Sequence, residues 1–499
     1  MEKSISILVI DEGTTGTRAL VFNEEAKIVS QAYSEFTQYT PSPEKVEHDP
    51  VEIWDTTMAM VRQALGAAKL KPTEITAIGI TNQRATSVVW DKATGEPIYR
   101  AIVWQDMRTG DLVEEIRASE WGEKAHQATG WTVAQVYSSL MLKWIFTHVP
   151  EAKTLVAQGR LAFGTIDSWL IWKLTGGKEH AIGYSNASVT GSLNLHTLTW
   201  YDEWLTWLGV PVSIFPELRD DSGYFGETDP EVFGARVPIL AAIADQHAAL
   251  FAQGCFTPGT VKCTHGTGTF LDMNIGDKPV ISKYGLNSLI AWRIKGQTTF
   301  GLEGYANVTG SAVQWLRDGL EIITKSAETE AIATSVPSSE GVYFVLGHTG
   351  VGAPYWDPFA RGLIIGITRG TKRAHIVRAT LEAIVYHTKD ILEAMRKESG
   401  VKITSVKVDG GAAANNFLLQ FQADMLDAEV ERPRSVEATS LGAAFLAGLA
   451  AGVWKSQQEL LAFREIDRVF YPQMGPEERE RLYADWVRAV ERSLSWAKH

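Results

Sequence analysis

Residues 7–18 read Ile7-Leu8-Val9-Ile10-Asp11-Glu12-Gly13-Thr14-Thr15-Gly16-Thr17-Arg18. Four consecutive apolar residues predict a buried strand with Asp11 at its end. Gly13, Thr14 and Thr15 predict a tight polar turn, and Ala19-Leu20-Val21-Phe22 a returning strand. Glycine lets backbone amides approach an anion closely, and threonine hydroxyls add donors, so this turn suits phosphate. The neighbouring carboxylate suits a magnesium ion, held directly or through water. No Gly-Lys-Ser/Thr follows, so the stretch is not a Walker A loop. Taken alone, a plain hairpin turn explains it equally well.

The pattern recurs about 250 residues later. Val261-Lys-Cys-Thr leads into His265-Gly-Thr-Gly-Thr-Phe270, again strand, Gly/Thr turn, strand. Two such turns, one per half, suggest two related domains with a nucleotide between them, although Gly/Thr turns are common in hairpins. Val406-Lys-Val-Asp-Gly-Gly-Ala-Ala-Ala-Asn-Asn416 predicts a strand, a glycine pair and a helix, an arrangement that admits a sugar-phosphate at a helix N-terminus. In the first half, strands predicted at Ile75–Thr81, Ser87–Trp90 and Ala101–Trp104 alternate with a helix over Val51–Ala68, and Ser87–Trp90 is expected to pair with Ile75–Thr81. Strands alternating with helices define an α/β architecture.

Composition narrows the classes. A chain of 499 residues exceeds one hydrophobic core and predicts two large domains. The net charge of −12 argues against nucleic acid as a partner. Two cysteines, Cys255 and Cys263, form no disulfide framework and fit a reducing cytoplasm. No secretory signal is read at the N-terminus. Leu441–Trp454, short and rich in Ala and Gly, predicts a packed helix and no membrane span.

These pieces together resemble the FGGY family of carbohydrate kinases and, among its branches, the glycerol kinases. The resemblance runs over essentially the whole chain. Its markers are Asp11-Glu-Gly-Thr-Thr15, Val46-Glu-His-Asp-Pro50, Gly79-Ile-Thr-Asn-Gln-Arg84, Ile102-Val-Trp-Gln-Asp106, Gly164-Thr-Ile-Asp-Ser-Trp169, Tyr184-Ser-Asn-Ala-Ser188, Ala244-Asp-Gln-His247, Gly266-Thr-Gly268, Gly310-Ser-Ala-Val-Gln-Trp315, Gly352-Ala-Pro-Tyr-Trp-Asp-Pro358 and Asp409-Gly-Gly-Ala412.

The resemblance implies a two-domain, actin-like (ribonuclease-H-like) ATPase fold with the active site in the interdomain cleft. Residues 1–253 would bind the polyol and carry the base, and residues 254–499 would bind the nucleotide. The implied reaction is ATP-dependent phosphorylation of a terminal hydroxyl of a small polyol, first of all glycerol to glycerol 3-phosphate, with Mg²⁺. Asp245 is then the catalytic base and Asp11 the group that organises the metal. Arg84, Trp104, Asp245, Gln246 and Phe270, with Ala85 and Val136, occupy the acceptor positions. Thr14, Thr15, Arg18, Gly266, Thr267, Gly310, Gln314, Gly411, Ala412 and Asn415 occupy the ATP positions. A homo-oligomer, dimer or tetramer, is also implied.

The departures concern the acceptor end. Ala85 stands where glycerol kinases place a glutamate, and Val136, beside Tyr137, where they place a tyrosine. Met141 replaces a lysine of the family signature. Each lost neutral hydrogen bond costs roughly 0.5–1.5 kcal/mol. The expectation is a pocket that takes a longer or bulkier acceptor, a four- or five-carbon polyol or ketose. Glu12 stands where glutamine is usual and either joins the metal site or faces away. Gly16 also departs from the family's opening motif. His247 and His265 replace glutamine and tyrosine and either meet a sugar hydroxyl or are satisfied neighbours of the cleft. Glu231-Val-Phe-Gly234 lacks the histidine that some bacterial relatives phosphorylate, and the loop that others use for a sugar bisphosphate is absent. A non-catalytic nucleotide-binding regulator is the rival class, but it has no need of Asp11, Arg84 and Asp245. A chaperone ATPase would need a peptide-binding domain for which no residues remain.

Overall fold

The computed structural model describes residues 5–434 and 437–498. The first half is built on a five-stranded sheet. Its strands are β1 (Ile7–Glu12), β2 (Gly16–Phe22), β3 (Ile28–Glu35), β4 (Ala77–Asn82) and β5 (Ile239–Ala244), in the order β5-β4-β1-β2-β3. The β1–β2 hairpin is antiparallel, with Asp11 opposite Arg18, and Gly13 N–H closes its turn on the Gly16 carbonyl at 3.0 Å. β4 and β5 run parallel to β1. The C-terminal ends of three strands therefore share one edge, which sets Asp11, Arg84 and Asp245 along it.

Period-two alternation divides the apolar run of β1. Leu8 and Ile10 join the cluster that contains Ile53 and Val61 of helix α1 (Pro50–Ala68). Ile7 and Val9 join the cluster that contains Ala248 of α2 (Asp245–Ala252) and Ala443 and Ala447 of a late helix. Because both faces are covered, these strands read as continuous apolar runs.

A seven-stranded sheet organises the second half. It comprises β6 (Thr260–His265), β7 (Thr269–Gly276), β8 (Asn287–Ile294), β9 (Gln297–Ala306), β10 (Ser405–Asp409), β11 (Glu429–Pro433) and β12 (Ile466–Phe470), in the order β8-β9-β7-β6-β10-β11-β12. The β6–β7 hairpin repeats the β1–β2 design, its turn closed by Gly266 N–H on the Gly268 carbonyl at 2.9 Å. β10 lies parallel to β6, Asp409 beside Thr264, so the two predicted glycine turns emerge side by side. Helices α3 (Gly310–Asp318), α4 (Arg373–Ser399) and α5 (Asn416–Leu426) follow in this half.

One pairing differs from expectation. Val88–Asp91 pairs antiparallel with Leu161–Gly164, not with the strand before it. Both edges of β4 are already taken by β1 and β5, which leaves no ladder for it to join.

The late helix α6 (Ala438–Ala451) packs on α2 and on β1, β4 and β5, locking the second half of the chain onto the first sheet. Among the described residues no helix is long and apolar enough to cross a membrane. The α6–α2 approach requires glycine: a Cβ at Gly442 would lie 2.0 Å from the Ala248 carbonyl oxygen. Gly442→Ala is expected to lower stability by about 1–3 kcal/mol, the usual penalty of overpacking. An unchanged thermal midpoint would show that the two helices are free to separate.

Candidate active site

A cleft of about 1750 Å³ runs between the two sheets. It gathers all seven acceptor positions named from the sequence: Arg84, Ala85, Trp104, Val136, Asp245, Gln246 and Phe270, together with Thr14 of the first hairpin turn. A smaller groove of about 610 Å³, lined by Trp54, Arg62, Lys92 and Lys173 among others, contains none of them.

Asp245 is the first residue of α2, at the end of β5, where its Oδ1 accepts the Gln246 backbone N–H at 2.6 Å. Its side chain is 27% exposed, open to the cleft. Burial raises its pKa, and the charge of Arg84 opposes the rise. Arg84 follows β4 and divides its guanidinium between two carboxylates. Nη1 lies 2.6 Å from Glu303 Oε2, and Nε 3.8 Å from Asp245 Oδ1. Burial pulls the Arg84 pKa down, but Glu303 and Asp245 outweigh it and leave the value raised. Trp104 donates its indole N–H to Thr14 Oγ1 at 3.0 Å, joining the acceptor wall to the first hairpin turn. Phe270 and Tyr305 stack across neighbouring strands, ring centroids 6.0 Å apart.

Sequence reading missed a polar row beside these residues. Lys262, Asp272, Glu303 and Asn287 stand opposite one another on β6, β7, β9 and β8. Lys262 Nζ is 3.1 Å from Asp272 Oδ2 and also donates to Gln246 Oε1, which leaves the Gln246 amide N–H groups for the cleft. Lys262 stays charged: burial pulls its pKa down, but Asp272 and Asp409 more than restore it. The available signal was a charged residue inside each apolar strand, Thr-Val-Lys-Cys, Phe-Leu-Asp-Met and Gly-Leu-Glu-Gly. Buried charges persist when they are paired, but pairing across strands is invisible before register is known.

The departures resolve differently from one another. Val136 is half-buried in the cleft wall. Tyr137 is turned away: its hydroxyl donates to the Trp131 carbonyl at 2.5 Å and meets Thr129 Oγ1 at 3.0 Å. Ala85 stands in the cleft lining beside Arg84. It has no exposed surface, sits at φ 61° and has its carbonyl held by Ser138 Oγ, while Trp131 packs its ring over Arg84. Met141 is a core residue. His265 is satisfied by Thr269 Oγ1 at 2.8 Å and Gln422 Oε1 at 3.0 Å. His247 is buried, has neither ring nitrogen hydrogen-bonded and is held neutral by desolvation and by the nearby Arg84 and Lys262. Neither histidine lines the cleft, so contact with a sugar hydroxyl finds no support. Glu12 faces away from the cleft, buried with Thr17 and Thr57 as donors to Oε2 and with Oε1 unpartnered.

The nucleotide positions fall into two groups. Thr14 and Thr15 form the first hairpin turn, and Arg18 on β2 pairs with Glu437 at 2.6 Å. In the second half, the Thr267 carbonyl accepts the N–H groups of Thr309 at 3.2 Å and Ser311 at 3.1 Å, tying the Gly266–Gly268 turn to the start of α3, which carries Gly310 and an exposed Gln314. Gly410 has φ 88°, and a Cβ there would be 2.4 Å from the His265 carbonyl oxygen, so Gly410 itself lies hard against the β6 end, whereas Gly411 has open space above its Cα. Asn415 caps α5, accepting Leu418 N–H at 3.0 Å. The second hairpin turn, the glycine pair and the start of α3 lie together here, an arrangement that suits phosphate.

Asp11 is buried, its pKa pushed up to about 6 by desolvation against the opposing effects of Ser440 and Arg18. Ser440 Oγ of α6 donates to Oδ2 at 2.6 Å. A desolvated carboxylate gains from a cation. Among the described residues, however, no group of three or more acidic, histidine or cysteine side chains is placed to hold one. Asp11 therefore fits a magnesium ion whose other ligands are phosphate and water oxygens.

This architecture, two sheets closing on a cleft with a Gly/Thr hairpin in each, defines a class of nucleotide-dependent phosphotransferases. Family models agree: residues 6–252 match the N-terminal domain, and residues 261–451 the C-terminal domain, of the FGGY family of carbohydrate kinases. The chain belongs to that family and is an ATP-dependent, glycerol kinase-like enzyme. It is 51% identical over 492 residues to glycerol kinase 2 of Thermotoga maritima, covering 99% of both chains. It is 52% identical over 491 residues to the glycerol kinase of Symbiobacterium thermophilum, covering 98% of this chain and 99% of the other. A crystal structure of Plasmodium falciparum glycerol kinase with ADP superposes with a TM-score of 0.94 at 33% identity, covering 98% of each chain.

Proposed function

We propose that this protein transfers the γ-phosphoryl group of ATP to a terminal hydroxyl of a small polyol, forming glycerol 3-phosphate from glycerol. The observation that carries this reading is the Asp245–Arg84 pair at the cleft, on the edge that also carries Asp11. An alcohol is a weak nucleophile, and phosphoryl transfer depends on positioning and charge neutralisation. Asp245 takes the hydroxyl proton as the new bond to phosphorus forms, and its raised pKa helps it hold that proton. Arg84 fixes the carboxylate that does so. Trp104 and Phe270 supply the apolar wall for the carbon chain, and Gln246 donates to a hydroxyl oxygen. Thr14, Thr15, Arg18, Gly266, Thr267, Gly310, Gln314, Gly411, Ala412 and Asn415 hold the nucleotide. Asp11 would hold Mg²⁺, which neutralises phosphate charge when bound. The first 253 residues supply the base, and residues 254–499 most of the nucleotide contacts. Phe270 brings the second half into the acceptor site as well. We also propose a cytoplasmic homo-oligomer, in keeping with the reduced cysteines and the family.

The test is acceptor-dependent ADP release with glycerol and with four- and five-carbon polyols and ketoses. Turnover is expected at least about tenfold above ATP hydrolysis without acceptor. ATP binding with no turnover on any acceptor would instead favour a nucleotide-binding regulator.

A further inference from the structure

We propose that Glu303 is a second acceptor-reading carboxylate, which takes a hydrogen bond from the hydroxyl at the far end of the polyol and so restricts the acceptor to neutral chains ending in a free hydroxyl. This inference rests on the kinase reading above and deepens it.

Glu303 projects from β9 into the cleft that Asp245 lines. Its Oε2 is occupied by Arg84 at 2.6 Å, whereas Oε1 has only a long 3.5 Å contact from the Asn287 amide. The side chain is 3% exposed, so the spare acceptor lone pairs are desolvated. A buried acceptor left without a good donor is costly, and a ligand hydroxyl relieves it. One guanidinium spans both Glu303 and Asp245, so a short polyol whose reacting hydroxyl meets Asp245 brings its other end toward Glu303. The residues of the row also fix what that end must be. A carboxylate accepts hydrogen bonds and cannot donate, so a hydroxyl satisfies it and a methyl group does not. A carboxylate on the acceptor placed between Asp245 and Glu303 meets two carboxylates whose shared cation, Arg84, is already engaged by both, while the other cations of the cleft lining are Arg117 and Lys283. Gln246, its oxygen taken by Lys262, supplies the complementary donor.

The experiment measures kcat/KM on matched sets of three to five carbons: the alditol, the analogue whose far hydroxymethyl is a methyl, and the analogue whose far end is a carboxylate. Propane-1,2-diol and glycerate complete the set for glycerol. For the best alditol, the wild-type protein is expected to prefer it over its deoxy analogue by roughly 10- to 100-fold, carried mainly by KM. In Glu303→Gln that ratio should fall to about threefold or less, and the carboxylate analogue should gain on the alditol. Glu303→Asp, which keeps the charge beside Arg84 but withdraws the oxygen, should lie between the two. A deoxy ratio identical in wild type and both variants, with equal losses on every acceptor, would show that Glu303 only supports Arg84 and would overturn the proposal while leaving the kinase reading intact. Wild-type protein that phosphorylates no acceptor would overturn the kinase reading itself.

Discussion

Asp245→Asn is expected to lower kcat by about 10²- to 10⁴-fold, the usual contribution of a positioned general base. Asparagine keeps the shape of the side chain and its place at the start of α2. It keeps a carbonyl oxygen to accept the Gln246 N–H, but it cannot take the acceptor's proton. Binding should change less, because Arg84 remains held by Glu303 at 2.6 Å and Trp104 by Thr14 at 3.0 Å. KM for the polyol should therefore stay within about tenfold of the wild-type value, marking a loss made chiefly in the transition state. The measurement is steady-state ADP release over a range of acceptor concentrations, with ATP binding measured separately to confirm the fold. A kcat within about tenfold of wild type would remove Asp245 as the base.

The second large effect concerns stability. Desolvation pushes the Glu12 pKa up from 4.5 to about 8, against the hydroxyls of Thr17 and Thr57 that favour the ionised form. The sign follows from linkage. In the unfolded chain Glu12 ionises near 4.5, whereas in the folded chain it keeps its proton until about 8. Stability from this group is greatest below the lower value, declines as pH rises between the two, and is fully lost above the higher one. The shift corresponds to about 5 kcal/mol at order of magnitude. Glu12→Gln, which does not titrate, should therefore become progressively more stable than wild type as pH rises from about 5 to about 9. The reading is the difference in thermal midpoint across that range. A constant difference would mean that Glu12 is ionised in the fold. Magnesium dependence of activity should be the same in both proteins, because Glu12 lies away from the cleft.

Much of this was present in the chain read alone. Period and turn chemistry placed both hairpins, since a glycine-threonine turn between apolar runs has few alternatives. The strand-to-helix junctions at Asp245 and Gly410 were local signals of the same kind. The acceptor residues Arg84, Trp104, Asp245, Gln246 and Phe270 were named from motifs, and the fold brings them to one cleft. One pairing was not legible from its own residues. Ser87–Trp90 was assigned to the strand before it, but its partner lies at Leu161–Gly164.

The sequence by itself determined the class of fold, the two hairpins, and which short segments carry carboxylate, guanidinium and glycine, because each depends on residues within a few positions of one another. Only the tertiary structure decided where Asp11, Glu12 and Glu303 point. Asp11 and Glu12 are adjacent in β1, yet alternation along the strand sends one toward Ser440 and the other into a buried pocket with Thr17 and Thr57. Glu303 is separated from Arg84 by 219 positions and from Asp272 by a strand pairing, and such contacts exist only once register and sheet order are set. Asp11, the hinge of the opening stretch, is held by a helix that arrives 429 residues later.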